Sequence, residues 1–307
     1  MSIVQDLRAA FARRDNALIQ LLLLNGVVFV ALILVQTTFT VIGRSDLYAA
    51  VLRQFEVSSD LSVLARHPWT LLTYAFTHAG FFHILFNMLN LYWFGQLVQE
   101  YLGNRRLVSL YILGALAGVV LFLLSYNLLP AFQMRIGSPM VGASAAVTAI
   151  IVGAATLLPD YTFMLILLGP VKIKWIALAL VLISLAGVNQ GNPGGEIAHL
   201  GGALLGFVFV KQLKAGRDLG APVQAIGNWF GKLFSRKPIM QASRTENYFR
   251  PAPVAAATAA AGRAAAPTAV VSHSQEEVDL ILDKISRSGY ESLSKDEKQK
   301  LFRASQE

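Results

Sequence analysis

Residues 17–42, ALIQLLLLNGVVFVALILVQTTFTVI, carry no charged side chain. A helix needs about 20 apolar residues to cross roughly 30 Å of hydrocarbon, so this stretch is long enough to span a bilayer. Working outward from it, the charged residues delimit further neutral runs. From Arg66 to Glu100 only histidines interrupt, and the intervals Arg106–Arg135, Arg135–Asp160, Lys174–Glu196 and Glu196–Lys211 hold no internal charge. Together the runs predict six transmembrane helices, near 17–42, 79–100, 107–127, 143–158, 174–188 and 196–214. Gly194, Gly195 and Glu196 read as a tight turn between the last two. The composition agrees: the 307 residues are 55% hydrophobic and only 14% charged, against roughly 25% charged in a soluble domain. The fold class is therefore an all-α, polytopic membrane bundle.

The net charge of +8 invites a nucleic-acid partner, but the basic residues sit at the edges of apolar runs and in the C-terminal tail, so none is expected. With no cysteine, disulfides, thiolate metal sites and cysteine nucleophiles are excluded together. Arg8, Arg13, Arg14, Arg105, Arg106, Lys172, Lys174, Lys211, Lys214 and Arg217 fall on one side of the membrane, and Arg44, Arg53, Arg66 and Arg135 on the other. The positive-inside bias then places both termini in the cytoplasm, in a cell (cytoplasmic or inner) membrane. A cleaved signal peptide is not expected, because the first apolar run is too long and lacks a small-residue cleavage pattern.

Outside the spans, residues 1–16 read as a cytoplasmic N-terminus. The first outer loop, 43–68, mixes Leu61, Val63 and Leu64 with charges, which suits a structured, half-inserted element. Residues 161–174 read as an interfacial connection broken by Gly169–Pro170. Over 215–237, Val223, Ile226, Trp229, Phe230 and Leu233 share one helical face, as in an amphipathic interfacial helix lying on the bilayer. Residues 238–274 form a Pro/Ala-rich disordered linker. The end, 275–307, is a small pair of cytoplasmic helices, the second opened by the capping box Ser294-x-x-Glu297; its expected role is docking, on the membrane domain or on a protein partner.

Polar side chains within the apolar runs carry the chemistry, since each is expensive in lipid without a partner or a water-filled cavity. His83 and Asn87, four apart, share a helix face, with His78 placed near the outer end of the same helix. Ser144 follows Gly142 at the outer start of the fourth span, and His199 lies at the outer start of the sixth. The orientation, assigned from lysines and arginines alone, sets Ser144, His199, His83 and Asn87 at similar depth. A serine becomes a nucleophile when an imidazole takes its proton, and a His, an Asn and backbone N–H groups can receive an oxyanion. Glu196 falls one turn from that depth, so the expected site is a Ser–His dyad without a carboxylate. Plainer readings stay open: Ser144 as a small packing residue, His83 and Asn87 as interhelical hydrogen-bonding groups, His199 bonded to a backbone carbonyl. Gly114-x-x-x-Gly118 and Gly202-x-x-x-Gly206 read as close-packing faces, and packing at Gly202 would carry His199 towards Ser144.

HAGFFHILFN at 78–87, GAS at 142–144 and AHLGGALLG at 198–206 resemble the three signature regions of rhomboid intramembrane serine proteases, over Trp69–Lys214. The resemblance implies a six-helix core, Ser144 as nucleophile and His199 as general base and acid. It implies His83, Asn87 and the Ser144 N–H in the oxyanion hole, with His78, Gly142 and Gly202 in support. Transmembrane protein substrates would enter sideways between helices and be cut near the outer face, with no metal or cofactor. The C-terminal extension is similar to that of some bacterial members. Three positions depart from the family pattern: Thr70 where Arg usually follows Trp69, Ala145 where Gly usually follows the serine, and Thr148 where an aromatic commonly packs the histidine. These departures keep a second class open, a catalytically silent relative that binds or chaperones transmembrane helices.

Overall fold

A computed structural model describes residues 16–165, 169–234, 280–285 and 292–304. The N-terminal arm before Asn16, the linker expected over 238–274 and the start of the first C-terminal helix lie outside the described residues. In chain order the elements of the first unit are α1 (Ala17–Val41), α2 (Ser45–Leu52), β1 (Val57–Ser58), α3 (Leu61–Arg66), α4 (Thr70–Thr73), a 3-10 turn (Tyr74–Phe76), α5 (Phe81–Leu102) and α6 (Asn104–Leu128). They continue with α7 (Pro130–Gln133), β2 (Pro139–Met140), α8 (Ser144–Leu157), β3 (Thr162–Leu165), β4 (Gly169–Lys172), α9 (Ile173–Gly187), α10 (Pro193–Lys214) and α11 (Ala221–Phe234). The chain is a helical membrane protein. By length and apolarity α1, α6 and α10 suffice to cross a membrane, while α8 and α9 are shorter apolar helices.

The centre of the bundle is α8 packed between α6 and α10. Along α8 the run Ala145–Ile151 is buried, the all-round apolarity of a helix with no solvent face. Lipid offers no hydrophobic force to hold helices together, so close approach of small residues does it. A side chain on Gly202 would run into the carbonyl oxygen of Ala145, and one on Gly206 into that of Ala149. Gly114 and Gly118 of α6 meet Ala149 and Ala145 from the other side. Both G-x-x-x-G pairs thus sit at helix contacts.

The outer helix α1 is fastened by polar groups. Its first N–H groups lack intrahelical acceptors; Ala17 N donates to Asn104 Oδ1 (2.9 Å) and Leu18 N to Gln99 Oε1 (3.1 Å). Deeper down, buried Asn25 donates to Tyr111 Oη (3.1 Å), whose own hydroxyl donates to the Ala75 carbonyl (2.8 Å). Asn25 and Tyr111 read in the sequence as ordinary members of apolar runs.

The 43–68 loop is structured, as expected. β1 pairs antiparallel with β2, Val57 opposite Met140; Ser59 Oγ accepts from Gly137 N (2.9 Å) and Asn127 Nδ2 donates to the Ser59 carbonyl (3.0 Å). Trp69 Nε1 donates to the Gln54 carbonyl (2.8 Å) and Thr73 Oγ1 to that of Phe55 (3.1 Å). With Thr70 in place of the usual Arg, the loop is anchored by these bonds instead.

One local reading gains a form and two change. The 161–174 connection is an antiparallel hairpin, Phe163 opposite Val171, closed by Asp160 bridging Lys172 (3.0 Å) and Lys174 (2.8 Å). Those lysines hold the exposed carboxyl at about 2. Gly194, Gly195 and Glu196 are not a turn: α10 begins at Pro193, where the missing N–H costs nothing, and Asn192 caps it by accepting from Gly195 N (3.1 Å). His78 is not on the helix of His83, because Thr77 and Gly80 are extended and α5 starts only at Phe81.

Past α10, Arg106 of α6 pairs with Asp218 (2.9 Å), and α11 leaves Ile226, Trp229 and Phe230 exposed. The chain divides into two compact units at Pro238/Ile239. Within the second unit, 280–285 is helical, a helix runs Lys295–Ala304, and Ile281 and Leu293 are buried. Leu282, which the periodicity groups with Ile281, is exposed. The capping box forms: Ser294 N donates to Glu297 Oε2 (2.7 Å) and Glu297 N to Ser294 Oγ (3.3 Å).

Candidate active site

A cavity of about 480 Å³ is lined by His83 and Asn87 of α5, Gly142 and Ser144 at the start of α8, and Ser184 and His199 on α9 and α10. Five of these six were singled out in the sequence; Ser184 was not. It is a polar side chain inside the apolar run of α9, and with no charge to interrupt the run it gave no signal. His78 lies outside this cavity, buried beneath His83 with ring centroids 5.1 Å apart, and neither of its ring nitrogens has a hydrogen-bond partner among the described residues. Gly202 lies one level deeper, at the α8–α10 contact.

Ser144 is the first residue of α8, so its backbone N–H belongs to the turn whose donors have no intrahelical acceptor and points to where negative charge is favoured. The strand–loop preceding it is tight. Gly142 donates its N–H to the Tyr74 carbonyl (2.9 Å) and holds φ at +129°, a region side-chain-bearing residues avoid. A Cβ there would stand 2.7 Å from His83 Nε2 and 3.5 Å from Ser144 Oγ. The imidazole therefore lies over the bare Cα of Gly142, beside the serine.

The two cavity histidines are oriented oppositely. His83 Nδ1 faces the backbone N–H of Ala79 (3.4 Å), a donor, so the ring proton resides on Nε2, the nitrogen beside Gly142. His199 Nδ1 faces Glu196 Oε2 (3.2 Å) and Ser184 Oγ (3.0 Å). A carboxylate only accepts, so Nδ1 carries the proton and Nε2 keeps its lone pair. One ring is set as a donor and the other as a base. Asn87 Nδ2 spends one hydrogen on the His83 carbonyl (2.8 Å) and keeps its second.

The expectation that no carboxylate reaches the histidine is corrected by this geometry. With α10 starting at Pro193, Glu196 and His199 are i, i+3 neighbours on one helix face. Thr148, where an aromatic was expected against the histidine, donates to the Ser144 carbonyl (2.7 Å). Ser144 Oγ and His199 share the cavity without a direct hydrogen bond among the described contacts; such bonds are often long before substrate binds.

Residues 65–214 match the Rhomboid domain family. The chloroplastic Rhomboid-like protein 16 of Arabidopsis thaliana is 31% identical over 208 residues, covering 63% of this chain and 64% of that protein. The mitochondrial RHOMBOID-like protein 12 of the same plant is 32% identical over 158 residues (48% and 47%). The mitochondrial Rhomboid protein 1 of Saccharomyces cerevisiae is 30% identical over 184 residues (59% and 50%). Residues 65–214 thus form a domain of the rhomboid family. The chain spans about half to two thirds of the length of these curated relatives. The rhomboid match opens in α3 and closes at the last residue of α10, so the cavity lies wholly within it and α1 outside it. Residues 272–307 match a family of unknown function (DUF6576).

Proposed function

We propose that this rhomboid is an intramembrane serine endopeptidase that cuts transmembrane protein substrates. The observation that carries the reading is the pair of opposed imidazoles sharing one cavity with Ser144, His83 presenting N–H and His199 a lone pair. Ser144 Oγ attacks the scissile carbonyl carbon while its proton passes to His199 Nε2. The oxyanion is received by the Ser144 N–H, His83 Nε2–H and Asn87 Nδ2–H. On collapse the C–N bond breaks and His199 returns the proton to the departing amine, leaving an acyl ester on Ser144. Water, deprotonated by His199, then releases the acid and restores the serine. None of these steps asks for a metal or cofactor.

Six membrane crossings, with both termini on the lysine- and arginine-rich cytoplasmic side, belong to the same proposal, as does a cell-membrane location. Helix α8, with 14 residues, rises about 21 Å, less than a ~30 Å hydrocarbon core. An end anchored at the inner interface would leave Ser144 below the outer surface, in reach of water through the cavity. Exposed Phe82 and Phe86 of α5 and half-buried Leu180 of α9 rim that cavity, which supports sideways access from lipid between α5 and α9. The C-terminal unit is proposed as a docking module for a protein partner; truncation after Arg236 should leave cleavage of a reporter intact while abolishing that partnership.

The lack of a Ser144–His199 hydrogen bond favours one rival, a silent helix-binding rhomboid. Two measurements separate the readings: cleavage of a single-span reporter in proteoliposomes, and labelling by a serine-reactive fluorophosphonate. Ser144→Ala and His199→Ala should abolish both, with expression unchanged. Wild-type protein that neither cleaves nor labels would establish the silent alternative.

A further inference from the structure

We infer that Glu196 and Ser184 are positioning residues for the base, jointly fixing the tautomer and charge state of His199 in place of an aromatic packed against its ring. This rests on the endopeptidase reading. Three independent features of the structure point to it.

The first is convergence. Glu196 Oε2 and Ser184 Oγ come from different helices to the same atom, His199 Nδ1, at 3.2 Å and 3.0 Å. A hydroxyl both donates and accepts, so Ser184 alone leaves the tautomer free; the carboxylate, which only accepts, removes that freedom. The second is a seat for the carboxylate. A Cβ on Gly187 would stand 2.9 Å from both Cγ and Cδ of Glu196. The carboxylate side chain thus lies against the bare Cα of Gly187, one turn from Ser184 on the same face of α9. The third is the partial enclosure of the pair: the Glu196 and His199 side chains are 24% and 23% exposed. A carboxylate so screened from water acts on the imidazolium more strongly than an exposed one.

The other groups around the imidazole have the wrong chemistry for this role. α5 presents His83, whose Nδ1 faces the Ala79 N–H and whose Nε2 carries the proton, so it offers His199 no carboxylate. α8 presents only the Ser144 and Thr148 hydroxyls, and α6 brings Tyr126 up to Gly194 at the head of α10. Glu196 is the carboxylate of this set, and therefore the group that stabilises the imidazolium formed when Ser144 is deprotonated.

The test is the pH dependence of fluorophosphonate labelling and reporter cleavage by the full-length protein in proteoliposomes. Glu196→Gln keeps an acceptor for Nδ1–H but loses the charge. Its rate should fall roughly tenfold or more, and the acid limb of its profile should move to lower pH by about 1 unit, because the imidazolium loses its counter-charge. Ser184→Ala should lower the rate with the limb unmoved, and Ser184→Thr should restore it. Gly187→Ala, which deletes no polar group but pushes the carboxylate off its seat, should shift the limb in the same direction as Glu196→Gln. A merely structural Glu196, stabilising the first turn of α10, predicts lower thermal stability in Glu196→Gln with an unmoved acid limb, and that result overturns the inference. If Ser144→Ala itself still labels and cleaves, the endopeptidase reading has failed instead; if Ser144→Ala is dead while Glu196→Gln and Gly187→Ala match wild type at every pH, only the positioning role has.

Discussion

Replacing Gly142 by alanine isolates how the cavity holds His83, the proposed oxyanion donor. Two costs follow from the geometry. The backbone at φ +129° is strained for any L side chain, by about 1–3 kcal/mol. The new methyl would also stand 2.7 Å from His83 Nε2 and 2.8 Å from Cε1, where ordinary contact is about 3.5 Å, so the ring must retreat by about 0.8 Å. His83 rests on His78 and on the Ala79 N–H behind it, so it cannot slide along its own plane without losing both. A retreat of that size stretches a ~2.9 Å hydrogen bond beyond 3.5 Å, which amounts to losing one oxyanion donor, about 10²–10³ in kcat.

Gly137 supplies the control. Its φ is also positive, +96°, but a Cβ there meets nothing within 4 Å. Gly137→Ala should therefore show the strain as reduced thermal stability while its folded fraction cleaves at the wild-type rate. Cleavage of a single-span reporter in proteoliposomes, normalised to folded protein, reads both variants. In the double variant Gly142→Ala/His83→Ala, the Gly142 substitution should add almost nothing to the loss already caused by His83→Ala, since the two act through one group. If Gly142→Ala cleaves within about threefold of Gly137→Ala, far short of the loss expected for a missing donor, the placement of His83 over Gly142 does not serve the oxyanion.

Other perturbations address the rest of the molecule. Gly202→Ala drives a methyl into the backbone of Ala145; it should destabilise the domain by about 1–3 kcal/mol or more, seen as a lower denaturation midpoint, and should lower activity too, because α10 carries His199. Tyr111→Phe removes the Tyr111 partner of the buried Asn25 amide, which keeps only its bond to the Leu21 carbonyl, and the donor to the Ala75 carbonyl, for a loss of about 1–3 kcal/mol with the pH profile of cleavage unchanged; an unaltered denaturation midpoint would show the Asn25–Tyr111 pair to be idle. Asn87→Ala removes a donor without touching the dyad, so kcat should fall about 10²–10³ while fluorophosphonate labelling persists. In the C-terminal unit, Lys284 and then the Ser294 N–H hold the Glu297 carboxyl at about 2 against an ordinary 4.5. A depressed carboxyl stabilises fully above pH 4.5 and loses that contribution as pH falls towards 2. Protection factors for amide exchange over 295–304, corrected for the intrinsic rate at each pH, should fall across that window, and Lys284→Ala should raise the Glu297 titration midpoint, followed by NMR.

Helices lie near each of the six expected positions, legible because charges flank most of the apolar runs and charge in lipid is costly wherever the helix goes; the break between α9 and α10, at the uncharged residues 188–192, was instead placed at Glu196. Ser144, His199, His83 and Asn87 were legible for the same reason, as polar groups in places where lipid penalises them. The capping box at Ser294–Glu297 was legible because it is local, two reciprocal bonds three residues apart. Ser184, Asn25 and Tyr111 were not, since one neutral polar group in an apolar run looks the same whether it packs idly or meets a partner on another helix. The 161–174 hairpin escaped because short apolar strands and helix ends share a composition.

The amino-acid order thus determined by itself where the helices run and which side chains lipid would not tolerate unpartnered, because both depend on residues near one another in the chain. Which of those side chains meet, and with which ring nitrogen, was decided only by the packing of α8 between α6 and α10 and by the start of α10 at Pro193 rather than Glu196. That shift of three residues turns Glu196 from a turn residue into the neighbour of His199, and hydrogen bonds, which act over a few tenths of an ångström, register such a change where hydropathy does not.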